Sequence, residues 1–276
     1  MSFEEITSRQ NPYVTYACKL SEKKYRDREG KFRIDGIKLF FEAVKFGVEL
    51  EAVLVTKKAV ERYGEIFEKL EKKTDVKVLS DGAFEKVSEE KSPEGVICVA
   101  KRIDKLHKII TINNSEGRAC IDGLRGKSVF ILESVRDPGN LGTVVRTAAA
   151  FGVDCIVMSD DCADIYNSKT LRAAMGTLFH QSLIRVDDLC EAVRILSGQG
   201  RRVYAAALGQ NSKLLGRVEL LLTDCIAVGN EGHGLSREVV SACDERILIP
   251  MADGTESLNA AVAASVCLWE QFGRNL

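Results

Sequence analysis

The residues best placed for chemistry are polar side chains set among glycines and short apolar runs. Asn140 and Arg146 fall within Asp137-Pro-Gly-Asn-Leu-Gly-Thr-Val-Val-Arg-Thr-Ala-Ala-Ala-Phe-Gly152, directly after the apolar run Ser128–Val135. Glu231 and His233 lie in Gly229-Asn-Glu-Gly-His-Gly234, with three glycines in six residues. Asn259 closes Glu256-Ser-Leu-Asn and opens the small-residue run Ala260-Ala-Val-Ala-Ala264. A glycine cluster at the end of a strand lets a ligand approach the backbone closely, and it serves equally as a strand-to-helix turn that needs positive φ. No Gly-Lys-Ser/Thr follows, and the spacing is not Gly-x-Gly-x-x-Gly, so neither a Walker loop nor a dinucleotide fingerprint is present. Glu231 reads as a solvated loop carboxylate or as an arginine's partner, and His233 as a loop-surface residue rather than a base. Ser257 and Asn259 are both suited to capping the last helix.

The elements around these residues alternate. Ser128–Val135 has the composition of a buried strand. Asp137-Pro-Gly is a turn, because Pro138 fixes φ and Gly139 adapts. Asn140 is expected as the N-cap of a helix whose Leu141, Val144, Val145, Ala148, Ala149 and Phe151 recur at helical spacing. Gly152 ends that helix, and Val153–Ser159 is the next strand. This is a βαβ unit, and in open α/β sheets ligands bind at the carboxyl ends of the strands. Further on, Ser168–Phe179 and Asp187–Leu196 read as helices, Ser182–Val186 and Val203–Leu208 as strands. Asp224–Val228 runs into the glycine cluster, Leu235–Cys243 is a helix, Arg246–Pro250 a strand and Ser257–Phe272 the closing helix. The alternation implies an α/β domain, with a mostly parallel sheet covered by helices on both faces.

Before it lies a smaller α/β segment. Tyr13–Arg28 reads as one helix, Phe32–Asp35, Leu50–Thr56, Val76–Leu79 and Val96–Ala100 as strands, and Ile37–Phe46, Lys58–Lys72 and Asp81–Ser88 as helices; Ser92-Pro-Glu-Gly95 is a turn. Basic residues crowd its start: Arg9, Lys19, Lys23, Lys24, Arg26, Arg28, Lys31, Arg33 and Lys38. Such a run is either a solvated helix face or a phosphate-contacting surface, with Tyr13, Tyr16, Tyr25 and Phe32 available to stack on bases. Periodicity fails between Lys101 and Lys127. The expected division is therefore a domain over 1–105, a linker over 106–126 that includes Asn113-Asn-Ser-Glu-Gly117, and a second domain over 127–276.

Composition narrows the classes. The chain has 276 residues and a net charge of −1, so the molecule as a whole does not advertise a polyanion partner. Nine scattered cysteines, an odd number without a Cys-x-x-Cys pair, together with three histidines, offer no zinc pattern and no disulfide framework. No apolar run is long enough to span a bilayer, and no charged leader precedes an apolar core. The expectation is a cytoplasmic chain with reduced thiols, no membrane association and no structural metal.

Taken together, the segments Asp137-Pro-Gly-Asn-Leu-Gly…Arg146…Gly152, Gly229-Asn-Glu-Gly-x-Gly-Leu and Ile249-Pro-Met…Ser257-Leu-Asn259 resemble, in that order, the three-motif signature of the SpoU (TrmH-like) branch of the SPOUT methyltransferases. Leu171-Arg-Ala-Ala-Met-Gly-Thr-Leu-Phe179 is also similar to that family. More loosely, Ile6–Asn11, the basic helix and Phe32-Arg-Ile-Asp-Gly-Ile37 resemble its small α/β RNA-substrate-binding domain. Two positions depart: Glu133-Ser134 stands where relatives often carry Asp-Gly, and Ala261 where a Ser is common.

The resemblance implies transfer of methyl from S-adenosylmethionine to a ribose 2′-hydroxyl of RNA, ribosomal RNA in preference to transfer RNA. It implies a homodimer and a C-terminal trefoil knot whose segments form the cofactor cleft. Carried over by residue, the catalytic positions are Asn140, Arg146, Glu231 and Asn259, and the cofactor contacts Gly229, Ile249, Leu258 and Met251. Arg9, Lys23, Lys24, Arg26, Arg28 and Arg33 are the expected RNA contacts. Because a guanidinium resists deprotonation, Arg146 is expected to orient a phosphate and stabilise a developing alkoxide, held by Glu231 and Asn259.

Overall fold

The computed structural model describes residues 5–70, 74–89, 94–209, 211–252, 254 and 257–275. Ser92, Pro93, Glu256 and the end of the expected helix at Lys72 lie outside them. The elements begin with β1 (Glu5–Ile6), α1 (Pro12–Lys19), α2 (Lys23–Glu29), β2 (Lys31–Asp35), α3 (Ile37–Lys45), β3 (Leu50–Thr56) and α4 (Lys57–Leu70). Then come β4 (Asp75–Leu79), α5 (Asp81–Val87), β5 (Val96–Lys101), β6 (His107–Ile110), α6 (Ser115–Asp122), β7 (Val129–Leu132) and α7 (Pro138–Ala150). Next are β8 (Cys155–Ser159), α8 (Ser168–Ala174), β9 (Ser182–Val186), α9 (Leu189–Ser197), β10 (Val203–Ala206) and β11 (Lys213–Leu214). The chain ends with β12 (Cys225–Val228), α10 (Arg237–Ala242), β13 (Glu245–Leu248) and α11 (Ala260–Gln271).

Two compact units result. The first holds residues 1–103 and 166–179, the second 104–165 and 180–276. Among the described residues, the first unit has a mixed sheet ordered β1-β4-β3-β5-β2. Its helical start differs from expectation: Asn11 caps a helix opened by Pro12, and a separate helix begins at Lys23. The stretch 166–179, read as part of the second domain, belongs here. Tyr166 stacks on Phe32 with ring centroids 4.4 Å apart, and its hydroxyl accepts from the Ile103 amide. The expected single helix is cut short because Met175 and Gly176 both take positive φ, leaving a 3-10 turn at Thr177–Phe179.

Among the described residues, the second unit is built on an eight-stranded sheet, β11-β13-β10-β12-β7-β8-β9-β6, in which the paired strands run parallel. The segment expected to be a linker is part of it: β6 pairs with β9, and α6 packs on α9. Four-residue strands are too short to show a period, which is why the sequence hid this one. Alternate residues of the central strands, Val129 and Ile131, Cys155 and Val157, Cys225 and Ala227, meet Ile121, Leu189, Val193 and Val239 from α6, α9 and α10 in one core. The intervening residues, Phe130, Ile156 and Ile226 among them, are fully buried on the opposite face, where α7 packs on α11.

The order of strands fixes where a ligand can bind. From β7 the chain steps to β8 and β9 on one side, then crosses to β10 and returns to β12 on the other. Adjacent parallel strands β7 and β12 therefore diverge in their connections, the situation that opens a crevice at the carboxyl edge. Their registers match, Val129 against Cys225 through Leu132 against Val228. The segments that follow, the start of α7 with Asn140 and the loop with Glu231, consequently leave the sheet side by side.

Candidate active site

Helix α7 starts earlier than the sequence suggested. Its N-cap is Asp137, whose carboxylate accepts the Asn140 amide N–H at 2.8 Å, and Pro138 occupies the first turn. That follows the preference for Pro just inside a helix, and it releases the Asn140 side chain from capping. Asn140 Nδ2 donates to Glu231 Oε1, and its Oδ1 accepts from Asn259 Nδ2 at 3.2 Å.

Asn259 has both of the roles open to it. Its Oδ1 caps α11 by accepting from the Ala261 and Val262 amides at 3.0 and 3.3 Å. With that oxygen committed to the helix, the amide must turn its NH₂ towards Asn140. Asn140 is oriented in turn, and presents its own NH₂ to the carboxylate. Three side chains, from the first turn of α7, the glycine loop and the N-cap of α11, thus form a directed chain. Among the described residues the second oxygen of Glu231 accepts no hydrogen bond, so an acceptor remains open at its end.

Beside this chain lies a cavity of about 960 Å³ at the carboxyl ends of β10, β12 and β13. Gly229, Ile249, Met251 and Leu258, the expected cofactor contacts, all line it, as do Glu231 and His233. Its walls include Val228, Leu248, Ala260 and Ala263, with backbone groups of the glycine loop among them. An apolar wall with a few convergent polar groups suits an organic ligand of cofactor size, and these residues fit an adenosine-bearing group. Gly229 is required for a reason other than ligand approach. A Cβ there would come within 2.2 Å of the Gly234 backbone, because Asn230 and Gly234 exchange hydrogen bonds of 3.1 and 2.8 Å across the loop.

Sequence reasoning missed the residues that brace this loop. Glu133 Oε2 accepts the Ser236 amide and its Oε1 the Ser236 hydroxyl, both at 2.7 Å. Ser134, at φ 54°, uses every polar atom. Its carbonyl accepts Asn230 Nδ2 at 3.0 Å, its amide donates to Ser159 Oγ at 2.8 Å, and its hydroxyl donates to Asp161 at 2.7 Å. Asp161 also accepts from Ser159 Oγ at 2.6 Å and Arg136 Nη2 at 2.7 Å. Burial raises the Asp161 carboxyl, but the hydrogen bonds from Ser159, Ser134 and Arg136 outweigh it and hold the group at about 2. The one signal in the sequence was the departure at Glu133-Ser134, in the dipeptide that makes these contacts.

Arg146 stands apart. It is exposed on α7, beside the equally exposed Thr143 and Ala150, and forms no hydrogen bond or ion pair among the described residues. The expected grouping of Arg146 with Glu231 and Asn259 is not formed within one chain. Helix α11, packed on α7, exposes Val262, Val266 and Trp269 at i, i+4 and i+7.

In the first unit, two of the expected RNA contacts are internal. Arg26 is 3% exposed and donates to the Leu20 and Ser21 carbonyls at 2.8 and 2.6 Å. Arg33, 4% exposed, pairs with Asp35 at 2.8 Å and Glu89 at 3.0 Å and donates to the Val87 carbonyl. Both are structural residues, and a count of basic residues could not reveal it. Phe32 is fully buried and cannot stack on a base. Arg9, Lys23, Lys24 and Arg28 are exposed, and Lys24 and Arg28 each lie 4.9 Å from the Tyr25 ring centroid.

Residues 127–269 match the SpoU rRNA Methylase family, and residues 11–98 an MRM3-like substrate binding domain. The chain belongs to the SpoU rRNA methylase family. A relative in Bacillus subtilis (strain 168), 23S rRNA (guanosine(2553)-2′-O)-methyltransferase RlmP, is 32% identical over 270 residues, covering 98% of this chain and 100% of that protein. An uncharacterized tRNA/rRNA methyltransferase of Synechocystis is 28% identical over 96% of this chain and 92% of its own length. Among solved structures, an AdoMet-bound rRNA methyltransferase from Sinorhizobium meliloti superposes with a TM-score of 0.83 at 25% identity, over 99% of each chain.

Proposed function

We propose that this chain transfers a methyl group from S-adenosylmethionine to a ribose 2′-hydroxyl of structured RNA, ribosomal RNA in preference to transfer RNA. The observation that carries the reading is the directed chain Asn259–Asn140–Glu231 at the edge of the cavity lined by Gly229, Ile249, Met251 and Leu258. Family membership and the shared length with an rRNA 2′-O-methyltransferase support it.

When bound, S-adenosylmethionine supplies a methyl group activated by a sulfonium. The residues of the chain must hold the ribose hydroxyl in line and handle its proton. Glu231, fixed through Asn140, offers its open oxygen as the acceptor that orients the hydroxyl and takes its proton as the O–CH3 bond forms and the methyl–sulfur bond breaks. A pre-set geometry of this kind accounts for a large part of such a rate enhancement. The guanidinium of Arg146 then stabilises the alkoxide as it develops and orients the neighbouring phosphate.

For Arg146 to do so, a second copy must supply it. The exposed stripe of Val262, Val266 and Trp269 on α11, the helix packed on α7, supports a homodimer packed across these two helices. Each copy would then present its Arg146 to the other's Glu231. Arg9, Lys23, Lys24 and Arg28, with Tyr25, are the proposed RNA contacts of the first unit. Nine free cysteines favour a reducing, cytoplasmic setting, and no helix among the described residues is long and apolar enough to cross a membrane.

The test is transfer of labelled methyl to purified ribosomal RNA, followed by nucleoside mass spectrometry. A 2′-O-methylribose nucleoside that is lost with Asn140→Ala supports the reading. Methyl on a base, or none on RNA from cells lacking the gene, contradicts it.

A further inference from the structure

Two arginines of the cavity wall take no part in the arrangement described so far. Arg237 opens α10 and shares its cavity-facing side with Val240 and Ser241, one turn on; Arg246 lies on β13. Both are exposed, and among the described residues neither forms a hydrogen bond or an ion pair. The side chains of Arg125, Arg146 and Arg217 share that state, but none of them lines the cavity, and other cations of the unit are paired. Arg118 and Arg194 pair with Glu191, Arg136 with Asp161, Arg202 with Asp224, Lys213 with Glu245 and Arg274 with Glu270.

Though exposed, the Arg246 side chain is laid against a neighbouring segment. A methyl group placed on Gly209 would come within 2.5 Å of one guanidinium nitrogen and 3.3 Å of Cδ. The side chain therefore lies against the loop that leaves β10, whose Ala207 and Leu208 are, with Ala206 at the strand's end, cavity wall. Register sets this position, since Arg246 stands opposite Ala205 on β10.

The cavity is polarised as a result. Its carboxylate, Glu231, sits at the edge with Asn140 and Asn259, and its guanidinium groups lie along the α10 and β13 walls. The methyl donor carries a matching group: a positive sulfonium at the reacting methyl and, at the far end of the methionine chain, a carboxylate beside an α-ammonium, of which the decarboxylated analogue keeps only the ammonium. Guanidinium is the side-chain group best matched to a carboxylate, through paired N–H donors. We propose that Arg237 and Arg246 form the subsite that takes the donor's carboxylate. The proposal rests on the methyl-transfer reading above and assigns what discriminates the whole donor from its truncated relatives.

The experiment is calorimetric titration of the full chain with S-adenosylmethionine, its decarboxylated analogue and 5′-methylthioadenosine. Wild type should prefer the intact donor to the decarboxylated one by about tenfold or more, the size of one charge-assisted contact. Arg237→Gln and Arg246→Gln should each weaken the intact donor while leaving the analogue unchanged, so the preference collapses. Gly209→Ala should do so in part, by displacing the Arg246 guanidinium. Variants that keep the wild-type preference overturn the proposal. So does normal donor binding with a raised KM for RNA, which would assign the arginines to a phosphate. Wild type binding none of the three ligands would instead contradict the methyl-transfer reading itself.

Discussion

Glu133→Ala tests whether the glycine loop is held from outside itself. The carboxylate receives two hydrogen bonds of 2.7 Å from Ser236, the N-cap of α10, whose hydroxyl also accepts the Val239 amide at 3.2 Å. Glu133 is anchored in turn, because its amide donates to the Val228 carbonyl at 2.9 Å. The loop from Gly229 to Ser236 thus starts and finishes on the end of β7. Each charge-assisted bond contributes about 1.5–3 kcal/mol when dry; with the two sharing one half-buried carboxylate, Glu133→Ala should cost about 2–3 kcal/mol in total. Glu133→Gln keeps one acceptor oxygen and should cost about 1 kcal/mol. Urea denaturation reads this as a lowered midpoint at unchanged slope. In a double-mutant cycle, Ser236→Ala removes the hydroxyl bond but not the amide one, so the coupling to Glu133 should be about 1 kcal/mol. Donor affinity, measured in parallel, should fall along with stability, since the loop is a cavity wall. A Glu133→Ala protein with the wild-type midpoint and wild-type donor affinity would refute the bracing role.

Other outcomes follow from the same contacts. Arg33→Ala removes the close partner of the buried Asp35, leaving it only Arg172 at 3.9 Å, and should cost about 3 kcal/mol in urea; a stable variant with weakened RNA binding would return Arg33 to the RNA face. Asp161 has its carboxyl at about 2 in the folded chain against an ordinary 3.8, so its contribution is complete above that ordinary value and is lost as pH falls towards about 2. Its side chain is 37% exposed, so solvent screening leaves about 1 kcal/mol; the stability difference between wild type and Asp161→Asn should shrink across that window and be flat above it. Arg146→Lys should bind donor as wild type does and lose most of its turnover, because one ammonium cannot reproduce a guanidinium fork; a near-wild-type rate would remove Arg146 from the chemistry.

The sequence was most informative where backbone constraints leave a mark. Glycines after an apolar run placed Glu231 on a loop at a strand's end, and the order of the motifs brought Asn140, Asn259 and the four cavity residues to one edge. It was least informative about burial of charge. Arg26 and Arg33 sit in the same basic run as Lys23 and Arg28, and nothing local separates a guanidinium that caps internal carbonyls from one facing water. Helix starts were recoverable in principle: Asp137-Pro-Gly-Asn has Pro at the first helical position, which favours Asp137 over Asn140 as the cap. The excursion of 166–179 into the first unit was not recoverable, because it depends on Tyr166 meeting Phe32, a contact far apart in sequence. The bracing by Glu133, Ser134 and Asp161 was hidden for the same reason.

The central claim is that a catalytic set is completed across two copies of the chain, and a mixing experiment addresses it directly. Arg146→Ala and Asn140→Ala, each inactive alone, are mixed and allowed to exchange subunits. Random exchange makes about half of the dimers mixed, each with one intact site of two, so methyl transfer to ribosomal RNA should return to about a quarter of the wild-type rate. Activity that stays at the background of the separate variants, with exchange verified by mass, would mean that Arg146 and Asn140 serve the same chain and would contradict the account.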